Sequence, residues 1–264
     1  MTKSEIIEEA PGEIPALSRL IDIVLPSDTN HHGTLFGGAS FALMDRIAFI
    51  AATRHGRVPF VTASCDRVDF RTPAHVGDLV ELTARPTRVG RKSMVIEVDM
   101  VAENLVGGER HLCTRGCFTM VAVPEDKTAG WQLPPIQMPD DSVDDDTLRM
   151  TDIVFADQAN SFGKMFGGEA LAQMTKAAFV AASRYSRQMT VLASSEKIDF
   201  KSPIPVGAII DVFARIVSVG RTSMRIETEL WSEILNTGEP RLTAVGIFIM
   251  VAVDKNHRPL QLPA

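Results

Sequence analysis

Residues 19–123 recur 130 positions later with no gap. The offset carries Asn30 onto Asn160, Phe70 onto Phe200, Val89-Gly90-Arg91 onto Val219-Gly220-Arg221 and Val121-Ala122-Val123 onto Val251-Ala252-Val253. Roughly 40 of about 100 aligned positions are identical, so one unit has been duplicated and both copies share a fold. A period this long means two domains, because solenoid repeats are usually ~20 to 50 residues long. The chain divides into an N-terminal extension (1–18), a first domain (19–123), a linker (124–148) and a second domain (149–264). Proline and aspartate crowd the linker, which reads as a solvated tether.

Each copy opens with a short strand (DIVL, DIVF) and a glycine-rich loop. Gly38 and Gly168 then precede about 16 residues without glycine or proline, rich in alanine, methionine and phenylalanine. This predicts a helix. Its apolar residues cover most of the circumference, as a buried helix requires. Downstream, VTASCDRVDF, LVELTARPTRV, SMVIEVDMVAE and RGCFTMVAV carry β-branched content or partial alternation, with breaks at Pro73, Gly77, Gly90 and Gly107-Gly108. One buried helix and four or so antiparallel strands predict an α+β fold in which a curved sheet wraps the helix.

The chain's formal charge of −6 disfavours a polyanionic partner such as nucleic acid. The first residues, MTKSEIIEEAPGE, lack the basic start and apolar run of a secretion signal. No stretch reaches the ~18 apolar residues of a membrane span. A cytosolic protein without stable membrane insertion is expected. Cys65, Cys113 and Cys117 all lie in the first copy, so the repeat preserves neither a disulfide framework nor a thiolate metal set. His31 and His32 are sequence neighbours, poorly placed to share a metal, and Ser161 and Phe162 replace them in the second copy; no metal site is expected.

The copies differ at one position that carries chemistry. FALMDRIAF (41–49) returns as LAQMTKAAF (171–179), so Thr175 stands where Asp45 does. The residues three and four away from Asp45 are Phe41, Ala42, Ala48 and Phe49, none of which can pair with it. Asp45 marks either a narrow solvated face beside Arg46 or a buried, unpaired carboxylate kept for chemistry. Thr175 indicates that folding does not require the acid. Ahead of both helices lies N-x-x-G-x-x-F-G-G, running from Asn30 to Gly38 and from Asn160 to Gly168. The paired glycines either form a tight turn or let a ligand oxygen approach the free N–H groups of the first helical turn.

With these motifs the chain resembles the hotdog-fold acyl-CoA thioesterases, in the cytosolic long-chain and YciA-like branch and in tandem form. The resemblance rests on N-x-x-G-x-x-F-G-G, the Met-Asp inside the helix, DRVDF-x-x-P-x-x-V-G-D and VGRKSM. It implies two hotdogs paired as an intramolecular pseudo-dimer, with sites built from the loop asparagine of one and the helical acid of the other. Carried onto this chain, Asp45, Asn160 and Gly168 are the catalytic residues, with Gly167 beside them. Asn30, Gly38 and Thr175 form a degenerate second site. A trimer of tandem chains is the implied assembly.

The chemistry expected is hydrolysis of fatty acyl-CoA. Asp45 would activate water or attack directly, Asn160 would position water or substrate, and the Gly168 N–H would receive the oxyanion. Arg91 and Ser93 in VGRKSM, and Arg221 and Ser223 in VGRTSM, offer phosphate contacts for coenzyme A, which enters as part of the substrate rather than as a cofactor. Two rival readings are a non-catalytic acyl-CoA sensor and a hotdog acyl-thioester hydratase; the hydratase lacks a suitably placed histidine.

Overall fold

The structure, a computed structural model, describes residues 17–124, 130–136, 147–235 and 237–263. The first copy runs β1 (Ser18–Ile23), α1 (Gly37–Gly56), β2 (Phe60–Cys65), β3 (Leu79–Val89), β4 (Ser93–Glu103) and β5 (Arg110–Ala122). The second repeats it as β6 (Leu148–Ile153), α2 (Gly167–Ser186), β7 (Thr190–Ser195), β8 (Asp199–Phe200), β9 (Ile209–Val219), β10 (Ser223–Glu233) and β11 (Pro240–Ala252). The sheets are antiparallel, in the orders β1-β3-β4-β5-β2 and β6-β9-β10-β11-β7, with β8 paired to β11.

Each helix is 20 residues long and ends where Arg57 or Arg187 turns into the left-handed region, φ 52° and 51°. Met44, Ile47, Ala48 and Ile50 are buried on one side of α1, whereas Phe41 and Ala42 at its start are exposed. The helix is therefore less completely enclosed than its composition implies. In the strands the alternation of side chains is plain: every second residue of β4 from Met94 to Ala102 is buried. The predicted strands LVELTARPTRV and SMVIEVDMVAE coincide with β3 and β4, but only the first half of VTASCDRVDF pairs as a strand. The remainder crosses over β5, where Gly116 is needed: a Cβ there would lie 2.8 Å from Val68 and 3.0 Å from Met44.

Part of the stretch read as a tether is packed. Leu133 is buried in the first core, its N–H bonds Arg91 O at 3.0 Å, and Pro134 O lies 2.9 Å from His55 Nε2. Leu262 repeats this on the second hotdog, bonding Arg221 O at 2.9 Å. A short strap thus closes the carboxyl end of each helix. The acidic residues 140–146 lie outside the described residues.

The two hotdogs meet through β1, β6 and the inward faces of the helices. Ile153 and Ile209 pack into the first core, and Ile21 and Leu79 into the second. Around this apolar exchange runs a set of ion pairs related by the same offset of 130. Arg46 reaches Asp152 (3.4 Å) and Lys176 reaches Asp22 (3.0 Å). Arg54 joins Asp211 and Glu233, while Arg184 joins Glu81 (2.6 Å) and Glu103 (2.7 Å). The pairing is a pseudo-two-fold, so the two copies form an intramolecular pseudo-dimer.

Candidate active site

Asp45 stands half-buried near the middle of α1, and its partner comes from β2: Thr62 Oγ1 donates to Asp45 Oδ1 at 2.5 Å. The acid is thus neither fully buried nor unpaired, as one sequence reading expected, nor does it share a solvated face with Arg46. Arg46 turns to Asp152 and lies over the Phe155 ring at 4.9 Å. A threonine hydroxyl aimed at a carboxylate holds its rotamer and leaves the second oxygen available. Phe41 and Phe70 meet edge to face at 5.4 Å beside this position and form an exposed apolar wall.

Thr62 was not singled out in the sequence, although the repeat carries the signal. Its counterpart at the offset of 130 is Leu192, so the second copy lacks both members of the pair, with Thr175 for Asp45 and Leu192 for Thr62. The two losses go together.

The asparagine loops differ in the opposite sense. In both, Gly33 (φ 72°) or Gly163 (φ 66°) makes the turn, a conformation that side-chain-bearing residues rarely adopt. The asparagine Oδ1 closes the loop, accepting from the N–H of His32 and Thr34 in one copy and of Phe162 and Lys164 in the other. In the first copy Asn30 Nδ2 also donates to Thr34 Oγ1 at 2.9 Å. Position 164 is a lysine, so the second copy has no hydroxyl there to occupy the Asn160 amide. Among the described residues no hydrogen bond joins Asn160 to Asp45 within the chain.

Both helices begin uncapped by any side chain, at Phe36 and Phe166. The first N–H groups of α2 therefore point out without intrahelical acceptors, at the positive end of the helix dipole. A cavity of about 330 Å³ opens there, lined by Met165, Gly167, Ala170, Phe200, Ser202 and Ile204 among others. At Gly167 a Cβ would meet nothing nearer than 4.0 Å. The empty space above this glycine, rather than a tight turn, is what its missing side chain provides.

The glycine turns that follow β3 and β9 sit farther off. Thr62, Met120 and Met94 form one cross-strand row on the helix side of the sheet. Ser93, next to Met94, belongs to the opposite face by alternation. Ser223 and Met224 repeat this relation. Arg91 and Arg221 are exposed. The structure therefore does not bring Ser93 or Ser223 together with the helical residues. His31 and His32 stack on one another, with ring centroids 3.8 Å apart.

The thioesterase superfamily model matches residues 32–108 and 162–238, once in each copy. The chain belongs to the thioesterase superfamily. A crystal structure of an acyl-CoA hydrolase from Agrobacterium tumefaciens shares 58% identity and a TM-score of 0.87 with it, over 96% of this chain and 100% of that one. Rat cytosolic acyl coenzyme A thioester hydrolase is 22% identical over 99% of this chain and 80% of its own length. Mouse acyl-coenzyme A thioesterase 11 is 25% identical over 94% of the chain, which spans 49% of that relative's length. The tandem thioesterase architecture thus extends through both copies.

Proposed function

We propose that this chain hydrolyses fatty acyl-CoA to free fatty acid and coenzyme A at one composite site, made of Asp45 and Thr62 from the first hotdog and Asn160 with the Gly167-Gly168 helix start from the second. The observation that carries the reading is the complementary asymmetry of the copies. The first keeps the carboxylate and its threonine, but its loop amide is occupied by Thr34. The second has lost the acid, but among the described residues its Asn160 amide has no side-chain acceptor, and a cavity opens at its helix start. The remaining combination, Asn30 and Gly38 with Thr175, has no acid.

Water attacking the thioester carbonyl needs a base for its proton and donors for the oxygen that becomes negative. Asp45 takes the proton, with Thr62 fixing the carboxylate, and the N–H of Gly168 receives the oxyanion. Asn160 orients water or substrate. The tetrahedral intermediate collapses with cleavage of the C–S bond, and the coenzyme A thiolate leaves. The second route is attack by the Asp45 carboxylate itself, which gives an anhydride that water then opens. Turnover in ¹⁸O water separates them, since only the anhydride route, with water attacking the aspartyl carbonyl, leaves label in Asp45. The acyl chain would lie along the apolar surface at Phe41 and Phe70, at ~0.8 kcal/mol per buried CH₂. Arg91 and Arg221 are the proposed cations for the phosphates.

Thiol release from a panel of acyl-CoAs, measured for wild type and Asp45→Asn, tests the proposal. Release lost in a folded variant supports it. Saturable binding without release by wild type would make the protein a sensor instead. A cytosolic location fits the name of the rat relative, and no helix among the described residues is long and apolar enough to cross a membrane. A homo-oligomer, specifically a trimer of tandem chains, is the proposed assembly.

A further inference from the structure

The composite site just proposed needs α1 and α2 to meet at the edges that carry β2 and β7, yet within one chain those edges lie apart. Each sheet has two edge strands, and the hotdogs abut through β1 and β6. That places β2 and β7 at the far end of each strand order. Both are bare: only Phe60 in β2 and only Thr190 in β7 are buried, and the other five residues of each are exposed. Val61 (53% exposed) and Leu192 (45%) are among them. An edge strand with apolar residues and unpaired backbone groups is a template for another strand.

We propose that a second copy of this chain completes the site: β2 of one chain pairs with β7 of another, so Asp45 and Thr62 act in trans with the partner subunit's Asn160 loop and helix start. Three observations favour this occupant and this pairing. Asp45 and Thr62 stand on the β2 edge itself, through the bond from strand to helix. Pairing β2 with a second β2 would bring Asp45 to the Asn30 loop, whose amide is held by Thr34. Pairing with β7 brings it to the loop where Lys164 replaces Thr34, so the amide there has no such hydroxyl partner. A β2-to-β7 contact is head-to-tail, so chains can close into rings of any number, three included.

The inference rests on the composite-site reading, and mixed chains separate the two. Asp45→Asn and Asn160→Ala chains are produced singly, and together under two different affinity tags, with folding checked by circular dichroism and size by light scattering. The expected result is background thiol release from each variant alone and about a third of wild-type turnover from doubly tag-purified rings of three, since every mixed ring of three has one edge at which an intact Asp45 meets an intact Asn160. Inactive single variants that co-purify without regaining activity would place the site within one chain. An active wild type that is monomeric, or chains that never co-purify, would also overturn the inference. If either single variant keeps wild-type activity, the composite-site reading itself falls.

Discussion

At the residue scale the pair Asp45–Thr62 decides most. Asp45→Asn should lower kcat at least ~10³-fold, while Thr175→Ala retains most activity, as measured by thiol release; the reverse pattern would sink the assignment. A hydrogen bond to a charged group contributes ~1.5–3 kcal/mol, so Thr62→Val should cost roughly 10- to 100-fold in kcat with little change in melting temperature. Gly167→Ala separates space from stability. The added methyl has room and favours a helical start, so stability should hold or rise by up to ~1 kcal/mol while kcat/KM falls as the approach to the N–H groups closes. The sequence exposed the asymmetric acid because a helix keeps its neighbours at three and four residues. It hid Thr62, whose bond spans 17 positions, and only the joint change to Thr175 and Leu192 betrays the link.

At the scale of elements, the helices are clamped by arginines from their last turns. Burial pushes the Glu81 and Glu103 carboxyls up, but Arg184 and its neighbouring arginines outweigh it and hold both below the usual range. Asp211 behaves likewise between Arg54 and Arg149. Groups depressed on folding stabilise above their unfolded pKa of ~4 and lose that contribution as pH falls through the folded value. Burial raises Asp152 despite Arg46, which opposes this weakly. Melting temperature should therefore be nearly flat from about pH 8 to 5 and fall steeply below about pH 4 in a calorimetric series. Arg54→Met removes the cation shared by Asp211 and Glu233, which keep Arg149 and Arg57 as partners, and should cost ~1.5–3 kcal/mol by denaturant titration. Helix and strands were legible from local spacing; these clamps were not, because partners such as Arg54 and Asp211 lie 157 positions apart. The preserved charges in apolar strands, Glu103 and Glu233, were the available sign.

For the whole molecule, the exchange of Ile153 and Ile209 for Ile21 and Leu79 makes each hotdog part of the other's core. Either half produced alone should melt well below the full chain and without a sharp transition, a comparison that circular dichroism settles. The duplication, the helix and the run of antiparallel strands were readable as pattern, whereas the strand order came from the structure. The packed strap around Leu133 was not, since prolines that suggest a tether also suit an extended segment laid on a core. The hydrogen bond from Asn30 to Thr34 also has an evolutionary meaning. On the composite-site reading, restoring a second site would take an acid at 175, a hydroxyl at 192 and a freed amide at 30. An acid at 175 alone would lack its threonine and face a tied amide, so the first step gains little for selection to reward, and the division of labour between the copies works as a ratchet.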